Sequence, residues 1–247
     1  GGPRSITASG QAIVEAAAKV VENGRRIAAH VLEAADDDIE FDIGSDGGRF
    51  VVAGTDRAVG LMELAQRLHA GLDLPEVLPS ALDVSHVSSG PPSAFPNGCH
   101  VAEVEIDPQT GTVAVVRYCA VNDFGTIVNP LLVEGQIHGG VVQGIGQALM
   151  EHVGYDAAGQ LLTGSYMDYA IPRARNAPMF ALASHPVPTP GNPLGTKGCG
   201  EAGCAGALTS VMNAVVDALA GRGVSHLDMP ASPSRVWQAL QQAARHA

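Results

Sequence analysis

Aromatic residues, cysteines and long apolar runs are all scarce in this sequence. Phe, Trp and Tyr make up 4% of the 247 residues, and there are four cysteines, none of them in a Cys-x-x-Cys pair. So few cysteines exclude a disulfide-rich scaffold and favour free thiols in a reducing cytoplasm. No apolar run reaches the length of about 18 residues that a membrane-spanning helix needs, so we expect no membrane span.

Basic residues are also in the minority. The 14 Lys and Arg residues face 25 Asp and Glu residues, which gives a net charge of −11. This balance argues against nucleic acid or an anionic membrane as the main partner. Apolar residues make up 46% of the chain, so it is not disordered as a whole. Residues 1–5 carry no initiator Met and no signal-peptide pattern, so we expect a processed chain or a piece of a longer one.

The periodicity predicts an α+β fold of mixed sheets with packed helices, because hairpins and helices occur without regular βαβ alternation. Ser9 is the predicted N-cap of the first helix, and Asn129 followed by Pro130 caps the third. The predicted helices cover residues 11–34, 61–68, 129–153, 205–220 and 233–245. The predicted hairpins pair 39–43 with 49–53 and 100–107 with 112–123, and a further hairpin turns at 156–159.

Three parts of the chain are predicted from these elements. Residues 1–75 form a first α+β subdomain, and residues 99–247 form a second one that carries a glycine-rich segment. Between them, residues 76–98 are rich in Pro, Ser and Gly and are predicted to form a long loop.

The glycine-rich segment at 195–203 contains the pattern Gly-x-Gly-x-x-Gly at residues 198–203. A dinucleotide-binding fold would need a buried strand directly before this pattern, and the prolines between 188 and 193 argue against one. The order Gly-Thr-Lys also departs from a Walker phosphate loop. What remains is the carboxylate of Glu201, just before a predicted helix. It either faces a ligand or is a first-turn acid that the helix dipole favours.

The helix predicted at 129–153 carries five glycines together with Gln136 and His138. Each glycine costs about 1 kcal/mol of helix stability, so we expect another group to approach this backbone closely. Gln136 offers both a donor and an acceptor to the edge of a heterocycle. Alternatively, the helix packs on a neighbour and leaves Gln136 and His138 in solvent. No His-x-x-x-His or His-Glu-x-x-His pattern occurs, so no metal ligands are predicted.

Residues 2–7 precede the first predicted helix and combine backbone amides, hydroxyls and the cation of Arg4. Such a segment at a helix N-terminus suits a phosphate or pyrophosphate group. A flexible chain terminus is the alternative interpretation.

Five blocks, taken in this order, resemble the molybdenum-binding subunit of the xanthine dehydrogenase, aldehyde oxidase and carbon monoxide dehydrogenase family. The resemblance covers nearly the whole chain but only the C-terminal part of that subunit. The blocks are residues 95–104, 133–147, 163–169, 195–203 and 226–230.

This resemblance implies a role for particular residues. Glu201 matches the family's general base beside molybdenum, and Gln136 matches a glutamine that hydrogen-bonds near the pterin. The remaining cofactor-binding residues implied by the resemblance are Gly2, Pro3, Arg4, Ser5, Lys197 and Gly198, of which Lys197 and Gly198 also shape the loop of the base. The family holds molybdenum through the dithiolene of molybdopterin, in bacterial members as the cytosine dinucleotide, and not through protein side chains.

The resemblance also implies an oxidoreductase that hydroxylates an N-heterocycle or an aldehyde, with water as the oxygen source. The N-terminal part of the molybdenum subunit, an iron–sulfur subunit with 2Fe-2S clusters and an FAD subunit are the expected partners, in a cytoplasmic complex. Without them the chain is expected to be inactive. Three alternatives stay open: a non-catalytic cofactor-binding or assembly domain, a fragment of a carbon monoxide dehydrogenase large subunit, and a nucleotide-binding enzyme that uses residues 198–203.

Overall fold

A computed structural model of the protein describes residues 4–44, 47–90 and 92–246. These residues group into two compact units. The first lies within Ala8–Pro91, and the second lies within Pro92–Ala247 and includes the short segment that ends at Thr7. The loop predicted at 76–98 is therefore divided between the two units.

The first unit packs two helices on a small antiparallel sheet of strand order β1-β2-β3. Its core contains the fully buried side chains of Ile27, Phe50 and Leu64. The predicted hairpin and both predicted helices are confirmed. The elements are α1 (Gly10–Leu32), β1 (Ile39–Gly44), β2 (Gly47–Val52), β3 (Ala58–Gly60) and α2 (Leu61–His69).

The predicted N-cap at Ser9 is wrong. A π-helical turn over Ser5–Ser9 leads directly into α1, so Ser9 already has helical dihedral angles (φ −69°, ψ −37°) and makes no side-chain capping bond. The chain therefore turns helically before the predicted start.

The second unit combines a three-stranded sheet with three helices, and it contains the larger hydrophobic core. Strand β5 lies in the middle of this sheet, antiparallel to β4 and parallel to β6. The mixed sheet and packed helices confirm the α+β prediction. The elements are β4 (Asn97–Ile106), β5 (Val113–Asp123), α3 (Pro130–Leu149), β6 (Phe180–Ser184), α4 (Ala202–Ala220) and α5 (Pro233–His246).

Helices α3 and α4 contact each other along their backbones. A Cβ atom on Gly140 would lie 3.0 Å from the Cys204 nitrogen, and one on Gly144 would lie 2.6 Å from the Cβ of Ala207. A Cβ on Gly203 would lie 2.8 Å from the carbonyl oxygen of Ile137. Glycine is thus needed on both helices, and the close approach predicted from the glycines is confirmed here.

Two other glycines of α3 behave differently. Positions for a Cβ on Gly135 and on Gly139 have nothing within 4 Å among the described residues. The start of α3 follows the prediction, because the side chain of Asn129 accepts a hydrogen bond from the Leu132 nitrogen at 3.2 Å, with Pro130 in the first turn.

Several predicted boundaries in the second unit need correction. Helix α3 ends at Leu149 instead of 153, and α4 begins at Ala202 instead of 205. The predicted hairpin at 156–159 is reduced to a turn closed by one bridge, between Tyr155 and Leu161. Strand β6 was not predicted, since its five residues sit among prolines and pair with a strand distant in sequence.

By length and composition, α4 is the one described helix that could cross a membrane. In the structure it is a core helix of the second unit. Its residues Ala207, Val211, Val215 and Leu219 are buried against the sheet and α3.

The α3–α4 contact makes a testable prediction. Gly144→Ala should lower the free energy of unfolding by about 1–3 kcal/mol, because the new methyl group overlaps α4 and forces the helices apart. Gly139→Ala is the matched control, and the gain in helix propensity should raise stability by about 0.5–1 kcal/mol. Denaturant unfolding of both variants measures the difference. Equal effects of the two substitutions would contradict the tight packing at Gly144.

Candidate functional site

The glycine-rich segment at 195–203 leads from the loop after β6 to the start of α4, and it pairs with the chain just after β5 through a bridge between Gly125 and Thr196. Backbone hydrogen bonds fix its first half: the Lys197 nitrogen donates to the Phe124 oxygen at 2.9 Å, and the Thr126 nitrogen donates to the Gly195 oxygen at 3.0 Å. Gly125 lies so close to the Gly195 carbonyl that no side chain would fit there. The first half of the segment is therefore held by hydrogen bonds to the residues that directly follow β5, the middle strand of the sheet.

A buried amide reinforces this half of the segment. The side chain of Asn192 donates to the Thr196 oxygen at 2.9 Å and accepts from the Thr196 nitrogen at 3.2 Å. Asn192 and Thr196 are 8% and 2% exposed. Two reciprocal bonds in a buried setting hold the backbone directly before Lys197 in one conformation.

Lys197 does not pair with Glu201. Its ammonium donates to Asp123 Oδ2 at 2.5 Å, with side-chain exposures of 10% and 11%. Burial alone would raise the pKa of Asp123, but the hydrogen bond from Lys197 and those from the backbone of Val187 and Gly125 outweigh it and hold this pKa well below its usual range. Asp123 is consequently a charged, structural carboxylate.

Glu201 occupies the N-cap position of α4 but makes no side-chain capping bond. Its side chain is exposed, and its carboxylate has no hydrogen bond or ion pair within the described residues. Two residues later, Gly203 is locked against α3. The structure thus presents an unpaired carboxylate from a backbone that is fixed on both sides.

Gln136 is brought to the same place from α3. Its side-chain oxygen lies 3.6 Å from the position of a Cβ on Gly200, next to Glu201, and the side chain is exposed. The open positions at Gly135 and Gly139 lie on the same helix, one residue before and three residues after Gln136. The amide of Gln136 therefore lies near the residue that carries the Glu201 carboxylate, on a helix whose surface is open at Gly135 and Gly139.

One cysteine, Cys199, lies within this loop, and another, Cys204, lies in the first turn of α4. Burial raises the pKa of the Cys199 thiol. Burial also raises the pKa of Cys204, and the negative charges of Glu151 and Glu201 add to that effect. Both therefore remain protonated thiols, unsuited to nucleophilic attack.

The other predicted residues are placed as follows. Gly2 and Pro3 lie outside the described residues. Arg4 and Ser5 are exposed at the start of the π-helical turn and group with the second unit, which also carries Glu201. Within the part of the chain that the structure describes, neither side chain hydrogen-bonds to Glu201 or Gln136. Gly198 is buried in the loop.

The geometry bears on the alternative ligands as well. Residues 185–194, before the segment, contain neither helix nor strand, so the strand that a dinucleotide-binding turn requires is missing there. Among the residues described, no group of three or more His, Cys, Asp or Glu side chains is arranged to hold a metal ion. Asp123 was missed by the sequence reasoning, although a carboxylate that ends an apolar strand is a signal in itself.

Comparison with known proteins identifies the family. A family model described as a molybdopterin cofactor-binding domain matches residues 1–178. The chain belongs to this family. The carbon monoxide dehydrogenase large chain of Hydrogenophaga pseudoflava is 37% identical over 98% of this chain, and the nicotine 6-hydroxylase large subunit of Paenarthrobacter nicotinovorans is 35% identical over 97%.

Two solved enzyme structures share the fold. CO dehydrogenase from Oligotropha carboxidovorans matches 99% of this molybdopterin-binding chain with 32% identity and a TM-score of 0.90. Quinoline 2-oxidoreductase from Pseudomonas putida 86 matches 90% with 37% identity and a TM-score of 0.81. The chain spans 29% of the two curated relatives named above and 28–30% of these structures.

The buried ion pair makes a prediction about acid stability. Lys197→Met should lower the free energy of unfolding by about 1–3 kcal/mol, because the buried carboxylate of Asp123 loses a donor. The lowered pKa of Asp123 stabilises the folded state above a pH of about 4, where the unfolded carboxyl is ionised, and this contribution is lost on acidification. In Lys197→Met the ionised carboxylate of Asp123 contributes less to stability, so acidification removes less. The free energy of unfolding of this variant should therefore approach that of the wild type as the pH falls below about 4.

A matched control is Arg117→Met. It breaks the pair with Glu103, in which the side chains are 73% and 59% exposed, and should change stability by less than about 1 kcal/mol. Denaturant unfolding between pH 7 and pH 3 measures all three proteins. A stability difference for Lys197→Met that stays constant over this range would contradict the assignment.

Proposed function

We propose that this chain is the C-terminal part of a molybdenum hydroxylase large subunit, in which it binds molybdopterin and supplies Glu201 as the general base. One observation carries the proposal: an exposed carboxylate that has no hydrogen bond or ion pair among the described residues stands on a fixed backbone near the amide of Gln136. A general base needs both a free carboxylate and a fixed position relative to the substrate.

The residues around Glu201 fit a molybdopterin group. Within the described residues the side chain of Gln136 has no hydrogen-bond partner, so it can offer a donor and an acceptor to a pterin edge, and the N-cap residue Glu201 makes no side-chain capping bond to the first amides of α4. The helix surface at Gly135 and Gly139 leaves room for a flat ring system. These groups suit the organic part of the cofactor, whose dithiolene holds the metal, so protein metal ligands are not required.

The proposed cofactor contacts follow the same chemistry. Gln136 binds the pterin, and the segment of Gly2, Pro3, Arg4 and Ser5 binds the phosphate region through backbone groups, a hydroxyl and a cation. Lys197 and Gly198 belong to the binding loop, where the bond of Lys197 to Asp123 supports a loop-shaping role. The cytosine dinucleotide form of the cofactor is part of this proposal.

When bound, the cofactor supplies the two-electron oxidation and the site of oxygen transfer. Glu201 takes up the proton that the water-derived oxygen releases as it is transferred to the substrate carbon. The ammonium of Lys197 is occupied by Asp123, so it does not neutralise this base. The amide of Gln136 would hydrogen-bond to the pterin and so hold the cofactor in place near Glu201.

The proposed substrate is an N-heterocycle or an aldehyde. Carbon monoxide is the second candidate, because a carbon monoxide dehydrogenase large chain is 37% identical over 98% of this chain. Oxidation assays with an artificial electron acceptor, using quinoline, an aldehyde and carbon monoxide in turn, separate these candidates.

Other chains complete the proposed enzyme: the N-terminal part of the subunit, an iron–sulfur subunit with 2Fe-2S clusters and an FAD subunit. This chain spans only 29% of the length of a related large chain, which supports the proposal. The side chains of Tyr166 and Met167 are 82% and 93% exposed. Contact with the other chains of the enzyme would cover these apolar side chains. The fragment alone is proposed to be inactive. The four free thiols suit a reducing cytoplasm.

The base assignment makes the next prediction. In the assembled enzyme, Glu201→Gln should keep molybdenum but lower kcat by about 10²–10⁴-fold, since the amide cannot take up the proton. Glu105→Gln, on the exposed side of β4, is the control and should keep wild-type turnover. Wild-type kcat in Glu201→Gln would show that the base lies elsewhere.

Cofactor content tests binding independently of turnover. Protein isolated from its native source should contain molybdenum and should release a cytosine nucleotide on acid hydrolysis, together with iron and flavin from the partners. Metal and nucleotide analysis makes the measurement. Absence of molybdenum under ample molybdate would favour a non-catalytic assembly domain, and binding of NAD or ATP by this chain would favour a nucleotide-binding enzyme.

A further inference from the structure

We propose that Asp123 is a positioning residue for the glycine-rich segment at 195–203. Its carboxylate anchors this segment at Lys197, four residues before Glu201. This inference rests on the proposed role of Glu201 as the base, but it concerns the loop itself and can be tested apart from that role. It assigns a function to a residue that touches neither Glu201 nor Gln136.

The carboxylate of Asp123 gathers three chain segments. Oδ1 accepts hydrogen bonds from the backbone nitrogens of Gly125 and Val187, each at 2.9 Å, and Oδ2 accepts from Lys197 Nζ at 2.5 Å. The donors come from the turn after β5, the segment after β6 and the glycine-rich loop. One charged group thus fixes the point at which these segments meet.

A second anchor lies on the other side of Glu201. Gly203 is locked between Ile137, Gly140 and Val141 of α3. Only residues 198–202 separate it from Lys197, and Gly198 and Gly200 among them contribute no side chain to packing. Because the side chain of Glu201 has no partner in the part of the chain that the structure describes, its position is set by these two anchors and the short backbone between them.

The negative charge of Asp123 is what holds Lys197, and with it the start of the glycine-rich segment. An asparagine at this position keeps an oxygen for the amides of Gly125 and Val187, but it offers no negative charge to Lys197. Lys197 is 10% exposed at its side chain, and an unpaired buried ammonium is driven towards water. Its movement frees the residues that lead to Glu201.

The test is hydrogen exchange and kinetics on the complete protein, isolated with its native partners. In Asp123→Asn, amide exchange within residues 195–201 should rise at least about 10-fold while α3 and α5 exchange as in the wild type. With the base misplaced, kcat should fall by about 10–100-fold, with little change in KM. Asp217→Asn, the same substitution at an exposed position of α4, should leave exchange and kcat unchanged.

The double variant Asp123→Asn with Lys197→Met carries no unpaired buried charge, so it guards against a failure of the single variant to fold. Exchange at 195–201 should still be faster than in the wild type, because the bond between the two side chains is lost, but the increase should be smaller than in Asp123→Asn, because no ammonium is driven towards water. Wild-type exchange in this segment in both variants would overturn the proposal. Failure of both to fold would overturn it as well, because Asp123 would then be a residue of general stability.

The outcomes separate this proposal from the assignment of the base. Faster exchange in the loop, combined with full turnover of Glu201→Gln, would leave Asp123 as the anchor of the loop and remove Glu201 as the base. Unchanged exchange in the Asp123 variants, combined with an inactive Glu201→Gln, would keep Glu201 as the base and remove Asp123 as the anchor of the loop.

Discussion

The backbone contact between α3 and α4 is the constraint on which the candidate site depends. Side chains normally keep helix axes about 8–10 Å apart, whereas Gly140, Gly144 and Gly203 let the two backbones meet directly. This contact sets Gln136 beside Gly200 and fixes the chain two residues after Glu201. The loss of helix propensity at these glycines is the cost of a site built from two helix starts.

The two carboxylates near the loop have opposite surroundings. Asp123 is buried and saturated with donors, which keeps it ionised and immobile. Glu201 is exposed and has no partner in the described part of the chain. A protein that needs one carboxylate for structure and another for chemistry can separate the two functions in this way, because a carboxylate that is already saturated with hydrogen bonds is a poor proton acceptor.

Local patterns in the sequence were enough to predict most elements of the fold. Alternation predicted the hairpins, apolar spacing predicted the helices, and the pair Asn129 and Pro130 predicted the start of α3, because each of these signals acts within a few residues. Strand β6 gave no such signal, since its partner β5 is distant in sequence. The N-cap at Ser9 failed because a π-helical turn precedes it.

The candidate site was predictable to a similar degree and for similar reasons. The glycines around Glu201 and the glutamine on α3 stand out in the sequence, and family resemblance links them. The pairing of Lys197 with Asp123 could not be read from spacing, because it joins residues 74 positions apart. The structure pairs Lys197 with Asp123 and not with Glu201, its neighbour in sequence.

The separation of Lys197 and Asp123 by 74 residues affects the order in which this unit folds. Contacts between distant residues form late, since a long stretch of chain must first be closed. Strand β5, helix α3 and the segment after β6 must all be in place before Lys197 reaches Asp123 and the loop takes its shape. A nascent or partly folded chain therefore lacks the arrangement around Glu201 until this unit of the protein is complete.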